Sequence, residues 1–165
     1  MPDFFASPVV CNAGPVIALA KAGVGRLLIE VFPRILIPET VAAELRAKDA
    51  GDAEDIARVL SQAEIVSGLS VPDPLLAHEL DAGEAAVIHT AVQLKAGRVL
   101  IDDRKARRIA FAAYGLEVRG TCALLLEAKV RALIPHVGPV LGAMRSAGYF
   151  IGESLMAECL RRAGE

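Results

Sequence analysis

The fold class shows most directly in one stretch of the sequence, Arg98-Val99-Leu100-Ile101-Asp102-Asp103-Arg104-Lys105. Its first half is a short β-branched and aliphatic run, which is typical of a buried strand. That run stops at two adjacent carboxylates, Asp102 and Asp103, and a basic segment follows that begins a helix. Active sites of open α/β sheets are built at strand ends. This stretch therefore predicts an α/β fold with a functional site where the strand ends.

The same alternation of strand and helix extends along the chain in both directions. Strands are predicted at 8–12, 34–37, 64–67, 99–102 and 117–119. Helices are predicted at 16–21, 26–32, 40–48, 53–60, 83–96, 105–114, 121–131, 135–147 and 153–163, with a loop at 68–74. Strands that alternate with helices indicate a parallel sheet covered on both faces. We expect a three-layer α/β/α fold around a central, mostly parallel five-stranded sheet.

Length and composition indicate a globular chain. The 165 residues suit one compact domain, 1–165, with 135–165 as a C-terminal helical hairpin. Hydrophobic residues make up 54% and charged residues 23%, which excludes a disordered chain. No apolar run approaches the roughly 18 residues of a membrane span, and the first residues lack the basic character of a secretory signal. We expect a cytoplasmic protein.

Acid or amide side chains fall at several points where a strand ends or a helix begins. They are Asn12, Glu44, Glu84 and the pair Asp102-Asp103. Because the C-terminal ends of parallel strands open onto one edge of the sheet, we expect these side chains to meet in one cleft. Clustered carboxylates repel unless a cation lies between them, and Mg²⁺ and Mn²⁺ prefer oxygen ligands. Paired ions of this kind activate water and stabilise the leaving oxygen of a phosphodiester.

Each of these residues also has an ordinary structural interpretation. Glu84 in a first helical turn favours the helix dipole, which is worth about 0.3–1 kcal/mol. Glu44 suits the flank of an amphipathic helix, and one of the two aspartates suits a helix N-cap. Asn12 suits a turn. Two adjacent acids exceed what one cap needs, so the aspartate pair is the strongest functional signal.

Helical periodicity predicts which way Glu84 faces. At about 100° per residue, Glu84 continues the sheet-facing stripe of its helix. That stripe consists of Val87, Ile88, Ala91 and Leu94. His89 and Gln93 fall on the opposite face, which we expect to be solvated. Glu84 is therefore predicted to extend a buried stripe toward the strand ends.

A basic helix face follows the acidic strand end. Arg104, Lys105, Arg107 and Arg108 occupy one half of this helix, and small or aliphatic residues occupy the other. Such side chains hold a polyanion through phosphate contacts without reading its sequence, although a solvated helix face has the same pattern. No aromatic residue is expected to interleave with these charges, so base stacking is not predicted. The apolar residues after position 135 are expected either to pack on the domain or to form a homodimer.

Taken together, five segments resemble a known family. They are NAGPVIAL (12–19), IPETVAAEL (37–45), LDAGEA (80–85), LIDDRKAR (100–107) and GT (120–121). In this order they resemble PIN-domain proteins, in particular the short PIN-like proteins related to toxin ribonucleases that are paired with antitoxins. The resemblance implies a PIN-like α/β fold and metal-dependent cleavage of RNA. It also implies an antitoxin protein as a partner and a homodimer.

The resemblance also implies roles for individual residues. Glu44, Glu84 and Asp103 match the family's catalytic, metal-binding acids, with Asp102 as a neighbouring candidate. The cofactor would be Mg²⁺ or Mn²⁺, and Thr121 matches a hydroxyl beside the metal site. Asn12 stands where active PIN nucleases usually carry an aspartate, so it offers a carbonyl oxygen but no charge. The alternative is therefore a PIN-like module with weak or no catalysis that binds nucleic acid or a protein.

Overall fold

A five-stranded parallel sheet forms the centre of the molecule. The computed structural model describes residues 3–48, 51–70 and 72–165. Its strands are β1 (Val9–Cys11), β2 (Ile35–Pro38), β3 (Glu64–Val66), β4 (Arg98–Leu100) and β5 (Glu117–Arg119). They are ordered β3-β2-β1-β4-β5, and every pair is parallel. The predicted three-layer α/β/α fold around a five-stranded sheet is confirmed.

Ten α-helices accompany the sheet among the described residues. They are α1 (Ala13–Lys21), α2 (Arg26–Val31), α3 (Glu39–Arg46), α4 (Ala53–Gln62), α5 (Pro74–Glu79), α6 (Ala82–Gln93), α7 (Arg104–Tyr114), α8 (Thr121–Val130), α9 (Gly138–Ser146) and α10 (Glu153–Ala163). A short 3₁₀ helix, Phe4–Ala6, precedes β1. All residues of β1 and β2 are buried, as expected for parallel strands covered on both faces.

The order of the strands positions a crevice beside β1. The chain runs from β1 outward to β2 and β3, then returns to the other side of β1 for β4 and β5. Connections that leave neighbouring strands in opposite directions create a crevice at the strand ends, where ligands of open α/β sheets bind. Here that point lies between β1 and β4. The Asn12 backbone N–H donates to Leu100 O at 3.0 Å and continues the pairing to this edge.

Several predicted boundaries differ from the structure. β4 ends at Leu100, so Asp102 lies in the segment that follows the strand rather than within it. Pro38 is the last residue of β2 and directly precedes α3, whereas the sequence predicts that this strand ends at Ile37. Gly115 closes α7 in the left-handed conformation with φ 64°, as the sequence predicts. Position 71 of the predicted loop 68–74 lies outside the described residues.

Helix α5 was not predicted, although its local signal is clear. The Asp73 side chain accepts a hydrogen bond from Leu75 N at 2.8 Å, and Pro74 occupies the first helical position. An Asp cap followed by proline is a frequent helix start. The helix has six residues, which gives too short a hydrophobic repeat for periodicity to reveal it.

The packing of α6 corrects two predictions. His89 is 8% exposed instead of solvated, and Leu94 is 43% exposed instead of facing the sheet. Helix α6 packs on the sheet with one side, while α3, α5 and α7 cover other sides, so α5 accounts for the burial of His89. The helix ends at Gln93, so Leu94 is its C-cap residue, and Lys95 follows in a left-handed conformation with φ 52°.

The C-terminal helices pack on the rest of the chain. Helix α9 contacts α1 and α10 contacts α8, and Leu141 and Met144 are fully buried. Glu165 accepts hydrogen bonds from Val137 N and Gly138 N at 2.8 Å, and Lys129 Nζ lies 2.7 Å away. The Lys129 ammonium and these two N–H groups lower the pKa of the Glu165 side chain to about 2. Apolar residues after position 135 therefore pack against the rest of the molecule, as one of the two expectations for this segment has it.

Candidate functional site

Three side-chain oxygen atoms converge at the strand ends around Gly83. A Cβ placed on Gly83 would lie 3.2 Å from Glu44 Oε2, 3.4 Å from Asp81 Oδ1 and 3.5 Å from Asn12 Oδ1. Asn12 follows β1, Glu44 lies on α3, and Asp81 and Gly83 begin α6. The structure therefore brings together two of the predicted residues, Asn12 and Glu44, and adds Asp81 to them.

Gly83 creates the space in which these oxygens meet. A Cβ at 3.2 Å from the Glu44 carboxylate would be tighter than an ordinary van der Waals contact. Gly83 is buried in the first turn of α6, where an alanine would have been the better helix former. The glycine leaves room for the Glu44 carboxylate to approach Asn12.

Asn12 directs its side chain away from the helix that it precedes. It takes an extended conformation at the N-cap of α1, yet its side chain makes no capping hydrogen bond. The residue is 9% exposed. Its carbonyl oxygen lies 3.5 Å from the Cβ position of Gly83, which oxygens of Glu44 and Asp81 also approach, so a cap on α1 is not the role of this side chain.

Asp81 and Glu84 form a reciprocal cap at the start of α6. Glu84 N donates to Asp81 Oδ1 at 2.8 Å, and Asp81 N donates to Glu84 Oε2 at 3.3 Å. This is the D-x-x-E form of a capping box, whose pattern is visible in the sequence. Glu84 thus has the structural role that its ordinary interpretation predicts, in addition to its place beside the site.

Glu84 lies among negative charges. Partial burial raises the pKa of its carboxyl above the ordinary value, and the charges of Asp81 and Asp103 raise it further. A backbone hydrogen bond from Asp81 and the charge of Lys105 act in the opposite direction. Glu84 and Asp103 are therefore near neighbours electrostatically, and a cation beside them would relieve their repulsion.

Asp102 is held by three hydrogen bonds. Thr121 N donates to Oδ1 at 2.7 Å, and Thr121 Oγ1 and Tyr149 OH donate to Oδ2 at 2.6 and 2.7 Å. These bonds join the end of β4 to the start of α8 and to the segment between α9 and α10. Burial, and then the charge of Asp102, raises the pKa of Tyr149. Tyr149 lies 47 residues from Asp102, and no sequence pattern links them.

Asp103 is the N-cap of α7. Its Oδ1 accepts from Ala106 N at 2.9 Å, so the interpretation of one aspartate as a cap is realised here. The side chain is exposed. The pair thus divides into a partly buried Asp102 that accepts three hydrogen bonds and an exposed Asp103 that caps α7.

The acids do not form one compact group. Within residues 3–48, 51–70 and 72–165, no three His, Cys, Asp or Glu side chains lie close enough to hold a metal ion. The oxygen set around Gly83 contains two acids, Glu44 and Asp81, and the Asn12 amide. Gly14 connects this set with Asp102, because a Cβ on Gly14 would lie 3.8 Å from Asp102 Oδ2 and 3.5 Å from Tyr149 OH.

The four predicted nucleic-acid-binding residues differ in environment. Arg107 is partly buried, and its Nη1 donates to Ile101 O at 2.9 Å. Lys105 Nζ pairs with Glu79 at 2.9 Å on the surface. Arg104 and Arg108 are exposed. Arg107 therefore supports the strand end, whereas Arg104 and Arg108 are available to a ligand.

The expectation that no aromatic residue accompanies these charges is wrong. Phe111 is 71% exposed. It follows Arg107 and Arg108 at spacings of four and three residues, which places all three on neighbouring parts of the helix surface. The basic face of α7 therefore carries an exposed aromatic ring beside its arginines.

Comparison with known families decides the classification. The sequence matches the family model described as PIN domain over residues 8–165. The chain belongs to the PIN-domain family. Comparisons with curated proteins and with solved structures found no match. In the part of this PIN domain that the structure describes, no helix is long and apolar enough to cross a membrane.

The donor set of this PIN domain suits the divalent ion that the family generally uses. PIN domains are nuclease-like folds that use divalent metal ions. Carboxylate and amide oxygens are hard ligands of the kind that Mg²⁺ and Mn²⁺ prefer, and the oxygens of Asn12, Glu44 and Asp81 already point at one small space. Glu84 and Asp103 add negative potential beside it. The oxygens of Asn12, Glu44 and Asp81 are therefore of the type that such an ion prefers, although only two of the three belong to acids.

Proposed function

We propose that this PIN domain is a toxin-like, metal-dependent ribonuclease that hydrolyses RNA phosphodiesters. The observation that supports this most is the convergence of Asn12, Glu44 and Asp81 oxygens over Gly83 at the crevice between β1 and β4. Glu44, Glu84 and Asp103 would be the catalytic acids. RNA is the proposed substrate, an antitoxin-like protein a proposed partner, and a homodimer the proposed assembly.

Each side chain has a task in this proposal. Asn12, Glu44, Glu84 and Asp103, with Asp81 added from the structure, would hold Mg²⁺ or Mn²⁺. Asp102, although it was a metal candidate in the sequence, orients Thr121 and Tyr149 through its hydrogen bonds. When bound, the ion supplies an activated water and neutralises charge on the phosphodiester.

The exposed arginines would position the substrate. Arg104 and Arg108 lie on the first two turns of α7, directly after the acidic edge. Their guanidinium groups bind phosphate oxygens in a bidentate manner. Phosphate contacts on this helix would hold the RNA backbone against the carboxylates without selecting a sequence.

Metal binding tests the proposal without a chosen RNA. We expect calorimetric titration of Mn²⁺ into the purified protein to show saturable binding that Glu44→Gln and Asp103→Asn each weaken at least tenfold. Asparagine still caps a helix, so Asp103→Asn should keep α7 intact. Glu54→Gln is the matched control, because the Glu54 side chain is 93% exposed on α4. Absence of saturable binding in the unaltered protein would contradict the proposal.

Asn12 favours a second candidate, a PIN-like module that binds nucleic acid or a protein with little catalysis. Because Asn12 is an amide, the oxygen set around Gly83 carries one negative charge less than it would with an aspartate at this position. An RNA cleavage assay, with the products identified by mass spectrometry, separates the two candidates. Metal-dependent products that disappear in Glu44→Gln support the ribonuclease, whereas RNA binding without products supports the binding module.

A further inference from the structure

An open depression lies beside α7 and the edge strand β5. Its volume is about 420 Å³, within the roughly 300–1,000 Å³ range of small-ligand sites. The lining residues are Arg107, Arg108, Phe111, Glu117, Val118 and Arg119. Of these six residues, the sequence predicts only Arg107 and Arg108 to bind nucleic acid. The depression therefore extends the basic surface of α7 onto β5.

The charge of this depression suits a polyanion. Three guanidinium groups face a single carboxylate, that of Glu117. Glu117 Oε1 is itself paired with Arg98 Nη2 at 3.3 Å, which offsets its charge. The whole chain carries a formal net charge of -2, so this basic surface is a local feature that opposes the overall charge. A local surface of this sign concentrates phosphate groups.

Phe111 adds an aromatic face to the same surface. Its side chain is 71% exposed, so packing within the described residues leaves most of the ring available to a ligand. The Arg119 guanidinium carbon lies 5.3 Å from the Phe4 ring centroid, which anchors this arginine at the other side of the depression. Exposed aromatic rings beside cationic side chains are the arrangement that binds unpaired bases with their phosphates.

The depression begins next to the acidic edge. Arg107 Nη1 donates to Ile101 O at 2.9 Å. A Cβ on Gly120 would lie 2.8 Å from Arg107 Nη1 and 2.7 Å from Asp102 Oδ1, so Arg107 and Asp102 both lie beside Gly120. The eight positions from Asp103 to Phe111 advance about 12 Å along α7. An RNA strand that lies at the acids reaches Phe111 within a few nucleotides.

We propose that this depression is a base-stacking subsite for single-stranded RNA. Phe111 stacks on one unpaired base, while Arg108 and Arg119 bind the phosphates on either side of it. The inference rests on the proposed ribonuclease function and adds to it a binding site for one nucleotide beside α7 and β5. Bases in a duplex are already stacked and paired, so a duplex offers Phe111 no free base face.

RNA binding in metal-free buffer tests the subsite separately from catalysis. The probes are a single-stranded RNA and an abasic strand of equal length, both fluorescently labelled. Their binding is measured by fluorescence anisotropy in EDTA. The variants are Phe111→Leu, which keeps apolar area, and Phe111→Trp, which keeps an aromatic face. Leu94→Ala is the control, because Leu94 is 43% exposed after the end of α6.

We expect Phe111→Leu to weaken binding of the single-stranded RNA by about fivefold to 150-fold, the range of one stacked base. Phe111→Trp should retain the affinity, and Leu94→Ala should not change it. The abasic strand should bind Phe111→Leu and the unaltered protein equally. The subsite is overturned if Phe111→Leu binds the base-bearing RNA as tightly as the unaltered protein does. It is also overturned if the substitution weakens binding of the abasic strand as much as it weakens binding of the base-bearing RNA.

A cleavage assay of the same proteins and RNA, with Mn²⁺ in place of EDTA, separates this inference from the proposed function. Cleavage by the unaltered protein together with a Phe111-independent affinity overturns the subsite and leaves the ribonuclease in place. Phe111-dependent affinity without any metal-dependent cleavage supports the subsite and favours the binding module over the ribonuclease.

Discussion

The two adjacent aspartates have different environments despite their identical chemistry. Asp102 receives donors from Thr121 and Tyr149 and is partly buried. Asp103 caps α7 and is exposed beside Glu84. A carboxylate that accepts three hydrogen bonds has less capacity left for a metal than one that accepts a single bond. Asp102 therefore joins the neighbouring elements, whereas metal binding by Asp103 stays a proposal.

A single substitution at Asn12 tests the electrostatics of the site. Asn12→Asp places a unit charge beside Glu44 and Asp81. At about 4 Å and an effective dielectric near 20, this charge is worth roughly 4 kcal/mol for each unit of metal charge before solvent compensation. We expect Mn²⁺ to bind at least tenfold more tightly, as measured by calorimetry.

The same variant should be less stable without metal, because the added charge repels its neighbours. Thermal denaturation in EDTA and in Mn²⁺ measures this difference, and a lowered Tm that Mn²⁺ restores is expected. Asn12→Ala is the control for loss of the amide alone. Unchanged Mn²⁺ affinity in Asn12→Asp would show that Asn12 does not contribute to the ion's environment.

At the level of elements, helix starts position most of the site. Asp81 and Glu84 fix the first turn of α6, and Asp103 fixes that of α7. The segment between α9 and α10 supplies Tyr149, whose hydroxyl donates to Asp102. The C-terminal helices therefore contribute directly to the arrangement of the strand end, although they follow the sheet in sequence.

Removing the Tyr149 hydroxyl tests this connection. Tyr149→Phe keeps the ring and deletes one of the three hydrogen bonds to a charged, partly buried carboxylate. Hydrogen bonds to charged groups contribute about 1.5–3 kcal/mol, so we expect the free energy of unfolding to fall by about 1–2 kcal/mol. Urea denaturation measures the change.

A double-mutant cycle with Asp102→Asn is the control for Tyr149→Phe. Residues in one hydrogen-bond network show non-additive effects, of about 0.5–3 kcal/mol. The two substitutions together should therefore cost less than the sum of their separate effects. Strictly additive costs would indicate that the Tyr149 hydroxyl stabilises the fold without acting through Asp102.

On the scale of the whole molecule, opposite charges lie next to each other at one sheet edge. The carboxylates gather near the ends of β1 and β4, and the basic surface of α7 and β5 begins beside them. This arrangement suits an ion and a polyanion that bind together. Phe150 and Leu155 are 89% and 54% exposed near the C-terminal helices, and the homodimer stays a prediction.

Salt dependence of RNA affinity tests the basic surface. Replacing Arg104 and Arg108 with Ala removes two exposed cations, so we expect the slope of log K against log salt to shrink by about 0.7 per lost phosphate contact. Fluorescence anisotropy over a salt series measures the slope. Arg58→Ala on α4 is the control, and an unchanged slope in the double variant would remove α7 from the interface.

Local sequence was sufficient for the order of the strands along the chain and of every helix in the described residues except α5. Alternating apolar runs and turns predict five strands in the right order, and β5 has the predicted limits, 117–119. Gly115 ends α7 as predicted, since a left-handed residue is a property of a single position. The end of β1 before Asn12 and the starts of α6 and α7 near Glu84 and Asp103 can be located from neighbouring residues alone, whereas the roles of these residues in a site stay predictions.

Tertiary packing decided how these side chains are used. His89 is buried because α5 lies over α6, Tyr149 reaches Asp102 from a distant helix pair, and Asp81 joins Asn12 and Glu44 around Gly83. Periodicity describes how side chains are arranged around their own helix, and it carries no information on which other element covers each face. Strand order and helix contacts supply that information, because they bring residues that are far apart in sequence within hydrogen-bonding distance.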